Sequence, residues 1–152
     1  MNFIENEKYV SEYSLKLFVV LSKAYASVSE AVLKDIRRYG LNPTEFAVLE
    51  LLYHKGIQPI QKIREKVLLK SNSITYTIDK LEEKKYIERK GCSKDRRVTY
   101  VSLTELGKGK MQSIFPSHEE AIKEILKALS EDEKKEAILL LKKIGLGISF
   151  HT

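Results

Sequence analysis

The 152-residue chain has one cysteine, no tryptophan, three prolines and three histidines. A lone cysteine, Cys92, excludes an intramolecular disulfide and a cysteine-rich metal site, and a reducing cytoplasm is the expected compartment. His54, His118 and His151 stand at no metal-ligand spacing. No Gly-x-Ser-x-Gly, phosphate-binding glycine loop or paired-carboxylate pattern occurs, so neither catalysis nor a metal or cofactor is expected. No apolar run approaches the ~18 residues of a membrane-spanning helix. The start MNFIENEKYV carries Glu5 and Glu7 where a signal peptide needs an apolar segment.

What is present is charge, unevenly placed. Residues 55–110 hold fifteen Lys/Arg against seven Asp/Glu, while each flank holds six against seven. A basic middle between near-neutral flanks is the footprint of a surface that meets phosphates, although a solvated face with clustered charge has the same composition.

Hydrophobic spacing predicts one long helix from about Val10 to Tyr39, with Leu17, Leu21, Ala24, Val28, Val32 and Ile36 at three- and four-residue steps and Gly40 as its stop. Asn42-Pro43-Thr44-Glu45 starts a second: Asn42 caps, Pro43 suits the first turn, and Glu45 sits in the positive field of the helix end. It runs to about Lys55 and closes at Gly56. After a turn at Ile57-Gln58-Pro59, a short helix spans Ile60 to Val67. Another runs from Ser71 to about Lys85, with Ile74, Ile78 and Leu81 as a single narrow apolar stripe. The period then changes to alternation over Tyr86–Lys90 and Arg97–Leu103, a two-stranded hairpin with a basic tip at Gly91–Arg96. Thr104 caps a helix reaching Leu129, which Pro116 is expected to kink or break near Phe115. Ser130-Glu131-Asp132-Glu133 has capping-box spacing and opens the last helix, ending near Gly145 and Gly147.

Three helices followed by a hairpin across residues 42–103 is the order of a winged helix-turn-helix. A helix lying in the major groove needs one stripe to hold it on its domain, and small or hydrogen-bonding side chains on the outer side. Ser71, Asn72, Ser73, Thr75 and Tyr76 meet that need at the helix start, with Lys80 further along. A plain surface helix with a Ser/Asn cap gives the same pattern. In the hairpin, Lys90, Lys94, Arg96 and Arg97 crowd one loop, where repulsion is tolerable only if solvated or met by anions. An arginine there is suited to a narrow minor groove, and Asp95 is read as its local ion-pair partner.

Asp95-Arg96-Arg97 followed by Leu103-Thr104 and Gly107 resembles the wing-and-helix signature of MarR-type regulators, and Ser71 to Glu82 is similar to that family's recognition helix. The resemblance covers nearly the whole chain. It implies a mainly α protein with a small β wing and a single domain over 1–152. Within it, 42–103 forms the winged DNA-binding part (recognition helix about 71–85, wing about 86–103), and 8–39 with 104–147 forms the dimerisation helices. It further implies a homodimeric repressor of a pseudo-palindromic operator in double-stranded DNA, released by a small aromatic or phenolic ligand or an electrophile. Arg97 takes the minor-groove role, oriented by Asp95. Ser71, Asn72, Ser73, Thr75 and Tyr76 face the major groove, with Tyr76 where the family usually has a small residue. The Ser-Ile-Thr-Tyr and Asp-Lys-Leu-Glu runs resemble the branch that senses quinones and related electrophiles.

Dimerisation also follows from the residues. The helices at 10–39, 111–129 and 130–147 are too apolar to be covered by a winged part of about sixty residues, and two-fold pairing is the commonest remedy. It would set two recognition helices about one turn of DNA, ~34 Å, apart. Two other readings stay open. Cys92, between Lys90 and Lys94, is placed for a thiol-based redox response, although an incidental surface cysteine without a partner is the commoner case. The fold also serves as a protein-interaction scaffold that does not touch DNA.

Overall fold

The computed structural model describes residues 13–67 and 71–148, excepting the side chains of 71–73. The proposed start of the first helix at Val10 and the side chains of Ser71, Asn72 and Ser73 therefore lie outside the described residues. Among the described residues six helices and three short strands follow one another: α1 (Tyr13–Arg37), α2 (Pro43–Lys55), β1 (Gln58–Pro59), α3 (Ile60–Lys66), α4 (Ser71–Glu83), β2 (Ile87–Gly91), β3 (Thr99–Leu103), α5 (Glu105–Ile125) and α6 (Glu131–Leu146).

The helix ends follow their local chemistry. Asn42 Oδ1 accepts the Glu45 N–H at 2.8 Å, with Pro43 in the first turn. Ser130 and Glu133 satisfy each other's backbone N–H groups in a capping box. Gly40 and Gly56, at φ +73° and +75°, close α1 and α2 with backbone that a side chain would strain. At the end of α4 the same geometry falls on Lys85 (φ 64°), where Tyr86 N–H bonds the Leu81 carbonyl and Lys85 N–H the Glu82 carbonyl. That pair of bonds is a Schellman closure, with lysine where glycine is usual.

One core holds α2, α3, α4, the sheet and the first half of α5 together. Leu49, Ile63, Ile74, Ile78, Leu81, Ile87, Val101 and Met111 are fully buried within it. Ile74, Ile78 and Leu81 are the narrow stripe of α4, so that helix is held along one edge only.

Leu-Thr-x-x-Gly now has a physical reading. Thr104 Oγ1 accepts the Gly107 N–H at 3.1 Å as N-cap of α5 and donates to the Lys85 carbonyl at 2.6 Å, while Thr104 N–H bonds the Tyr86 carbonyl. Gly107 packs so tightly that a Cβ there would stand 2.0 Å from the Tyr86 carbonyl oxygen. The motif rivets the start of α5 to the turn between α4 and β2.

Three expectations need correction. The Ile57-Gln58-Pro59 turn contains a strand: β1 pairs antiparallel with β3, Gln58 opposite Val101 and Pro59 opposite Tyr100, giving a three-stranded sheet of order β1-β3-β2. Proline is admissible because β1 is an edge strand, where a missing N–H breaks no ladder on its outer side. Second, α5 runs unbroken through Pro116. Burial of Met111 and Ile114 before the proline and of His118 after it holds both halves on the same core, which offsets the single missing backbone bond. Third, α5 ends at Ile125, and Leu126–Leu129 form turns before Ser130.

Candidate nucleic-acid interface

On the side of α4 opposite its buried stripe stand Thr75 and Tyr76, both exposed, and the half-buried Lys80. Lys80 Nζ lies 3.3 Å from Glu83 Oε2 and 5.6 Å from the centre of the Tyr76 ring. The Glu83 bond, with the charge behind it, raises the lysine above its ordinary range, so it stays a cation. Thr77, by contrast, is buried on the core side.

The wing is the hairpin β2–β3, in register from Ile87 opposite Leu103 to Gly91 opposite Thr99. Its tip is closed by Cys92 N–H to the Val98 carbonyl and Val98 N–H to the Asp95 carbonyl. Asp95 grips Arg97 at three points: Oδ1 accepts the Arg97 backbone N–H at 3.0 Å and Nε–H at 3.2 Å, and Oδ2 accepts Nη2–H at 3.3 Å. These bonds hold the Asp95 carboxyl below its usual range. The arginine is nonetheless 90% exposed in its side chain, an aimed cation standing in solvent. Lys90, Lys94 and Arg96 are exposed around it, and Cys92 is half-buried.

Two arginines absent from the expected site tie these elements together. Arg89 of β2 reaches back to α4, bonding Glu82 at 3.0 Å and also Asp79. The Asp79 bond is the largest cause holding its guanidinium above even the ordinary arginine range. Arg64 of α3 donates Nη2–H to Thr75 Oγ1 at 3.0 Å. It also lines, with Arg97 and Thr99, a crevice of about 200 Å³ at the foot of the wing. Arg64 is thus bonded to Thr75 of α4 and shares a crevice with Arg97 of the wing, two residues expected on separate elements. No local pattern announces either arginine, since their partners lie seven to eleven residues away.

Away from this surface, α1 and α6 carry an unpartnered apolar face. Leu15, Leu17, Phe18 and Val20 of α1, and Ile138, Leu139, Leu140 and Leu141 of α6, are each at least half exposed. Among the described residues no helix is long and apolar enough to cross a membrane.

Comparison with known proteins agrees with this geometry. Residues 31–114 match the family described as transcriptional regulator SarA/Rot. The HTH-type transcriptional regulator MhqR of Bacillus subtilis is 52% identical over 143 residues, spanning 93% of this chain and 99% of that one. Among solved structures, a mutant MarR from E. coli complexed with operator DNA superposes with a TM-score of 0.76 at 19% identity, over 85% of this chain and 93% of that one. The Bordetella bronchiseptica BpsR structure, described as showing regulation of DNA binding by 6-hydroxynicotinic acid, gives 0.76 at 21% identity, over 86% and 98%. These relatives are transcription regulators and not enzymes, and with the winged fold they place this chain in the MarR-type family of DNA-binding transcriptional regulators.

Proposed function

We propose that the protein is a cytoplasmic homodimeric repressor. It covers a pseudo-palindromic operator and leaves it when a small aromatic or phenolic molecule, or an electrophile, binds. The observation that carries the DNA half of this reading is the pairing of Asp95 with the exposed Arg97, whose crevice is also lined by the Arg64 that bonds Thr75 of α4. A guanidinium held by a carboxylate and left in solvent is ordered in advance for the minor groove. Thr75 and Tyr76, with Ser71, Asn72 and Ser73 on the same helix, face the major groove, and Lys80, Lys94 and Arg96 meet backbone phosphates.

The dimer half is supported by the apolar faces of α1 and α6, too extensive to remain in water on a single subunit. In this reading 8–39 and 104–147 pair with the same segments of a second copy, and 42–103 is the DNA-binding part. Two linked recognition helices must meet successive grooves together, so a small change in their separation releases both. A ligand that prefers the DNA-incompetent spacing by about 1–3 kcal/mol is enough. The effector class rests on the resemblance to quinone-sensing members and on the named effector of the BpsR relative.

The test is to pass sheared genomic DNA over the purified protein, sequence what it retains, and weigh the complex. A shared inverted repeat bound by two subunits is the expected result. Retention without sequence preference, or a stable monomer, overturns the proposal.

A further inference from the structure

Arg64 lies on α3, outside both elements assigned above to DNA, yet it touches one and faces the other. Its Nη2–H donates to Thr75 Oγ1 at 3.0 Å, and both residues are exposed. The same side chain lines the crevice that Arg97 bounds from the wing. A guanidinium only donates and is never deprotonated in a protein, whereas a hydroxyl carries one proton and two lone pairs. The Thr75 proton therefore cannot point at Arg64. It is turned elsewhere, and the adjacent positive charge makes the hydroxyl a stronger donor and a poorer acceptor.

We infer that Arg64 determines base selection: by donating to Thr75 it turns that hydroxyl into a donor toward the major groove, while its own charge neutralises a neighbouring phosphate. This rests on the DNA reading above and goes beyond it by naming which edge is read. Acceptors in the major groove are guanine O6 and N7, adenine N7 and thymine O4, and the donors are cytosine N4 and adenine N6. Thr75 then favours an acceptor edge at one base pair of each half-site. Removing Arg64 frees the hydroxyl to accept or donate, so that preference flattens. The competing fate of the proton is the carbonyl four residues back in the same helix, the usual partner of a helical threonine. In that arrangement the hydroxyl offers the groove only its second lone pair, and the preference turns to a donor edge.

The experiment selects duplexes from a randomised pool with the wild-type protein, Arg64→Ala, Arg64→Lys and Thr75→Val. Circular dichroism and thermal melting check that each variant is folded. Arg64→Ala and Thr75→Val are expected to relax the same single base pair per half-site, by about fivefold to tenfold, leaving the other positions unchanged. The slope of log affinity against log salt falls by about one for each Arg64 removed, two in a dimer, and Arg64→Lys restores that slope while recovering the base preference only in part. Relaxation of different base pairs by the two variants, or an equal loss of affinity on every sequence, overturns the inference. So does a Thr75→Val profile identical to wild type. A wild-type protein that retains no duplex overturns the underlying DNA reading, and is seen before any variant is tested.

Discussion

His118 Nδ1 lies 2.8 Å from Asp35 Oδ2, both residues buried, and this contact fastens the middle of α5 to the last turn of α1. The other carboxylate oxygen of Asp35 accepts the Tyr39 hydroxyl at 2.8 Å, and the imidazole packs against the Phe46 ring with centroids 4.6 Å apart. The histidine is thus a structural member of a polar junction between the two segments proposed for dimerisation, and it reaches the winged part through the Phe46 ring. Asp35→Ala orphans the buried His118 and the half-buried Tyr39 hydroxyl at once and is expected to cost about 1–3 kcal/mol, seen as a lowered urea midpoint. Asp35→Asn, which keeps an acceptor for one partner, should lose less.

The same junction sets an alkaline limit. Burial, then the bond to Asp35 and its negative charge, push the Tyr39 phenol up to about 12 from its ordinary 10. A proton held more tightly in the folded state gives stability that is complete below pH 10 and lost as pH rises toward 12. Tyr39→Phe removes that titration, so the variant's stability should fall less steeply than wild type between those two values. Chemical denaturation at stepped pH reads the difference.

Gly107→Ala tests the rivet at the root of α5. The new methyl would have to displace backbone, the Tyr86 carbonyl, and not the end of a flexible side chain. A loss of about 3 kcal/mol is expected by thermal or urea unfolding, at the upper end of overpacking effects.

Lys85 offers the opposite sign. A left-handed residue with a side chain costs about 1–2 kcal/mol, while glycine adds roughly 0.4–1 kcal/mol of unfolded-state entropy. Strain is the larger effect, so Lys85→Gly should stabilise by about 0.5–1 kcal/mol. A melting temperature that stays level or falls contradicts this account of the α4 closure.

The elements that were legible in the sequence are those fixed by neighbours in the chain. Asn42-Pro43, Thr104 and Ser130 announce helix starts because a cap reaches only three residues ahead, and Ile74, Ile78 and Leu81 reveal the buried edge of α4 by spacing alone. Strand β1 was hidden because Gln58-Pro59 has turn composition and becomes a strand only when β3, some forty residues later, lies beside it. Pro116 misled for the mirror reason: its local penalty is real, but tertiary packing on both sides outweighs it. In the site, Asp95 and Arg97 are two residues apart and could be paired by reading along the chain. Arg64 with Thr75, and Asp35 with His118, are set by how helices cross, which no window of sequence contains.

The central claim is that an array of cations, led by Arg97 on a wing and repeated on a second subunit, meets the phosphates and minor groove of duplex DNA. The most direct measurement is affinity for a retained fragment as a function of salt, for wild type and Arg97→Ala. With ~6–10 phosphate contacts the wild type should lose ~10³–10⁵ in affinity between 50 and 200 mM salt, and Arg97→Ala should bind more weakly by about 1–3 kcal/mol at fixed salt. Affinity that barely responds to salt, or an Arg97→Ala variant that binds as wild type does, contradicts the account.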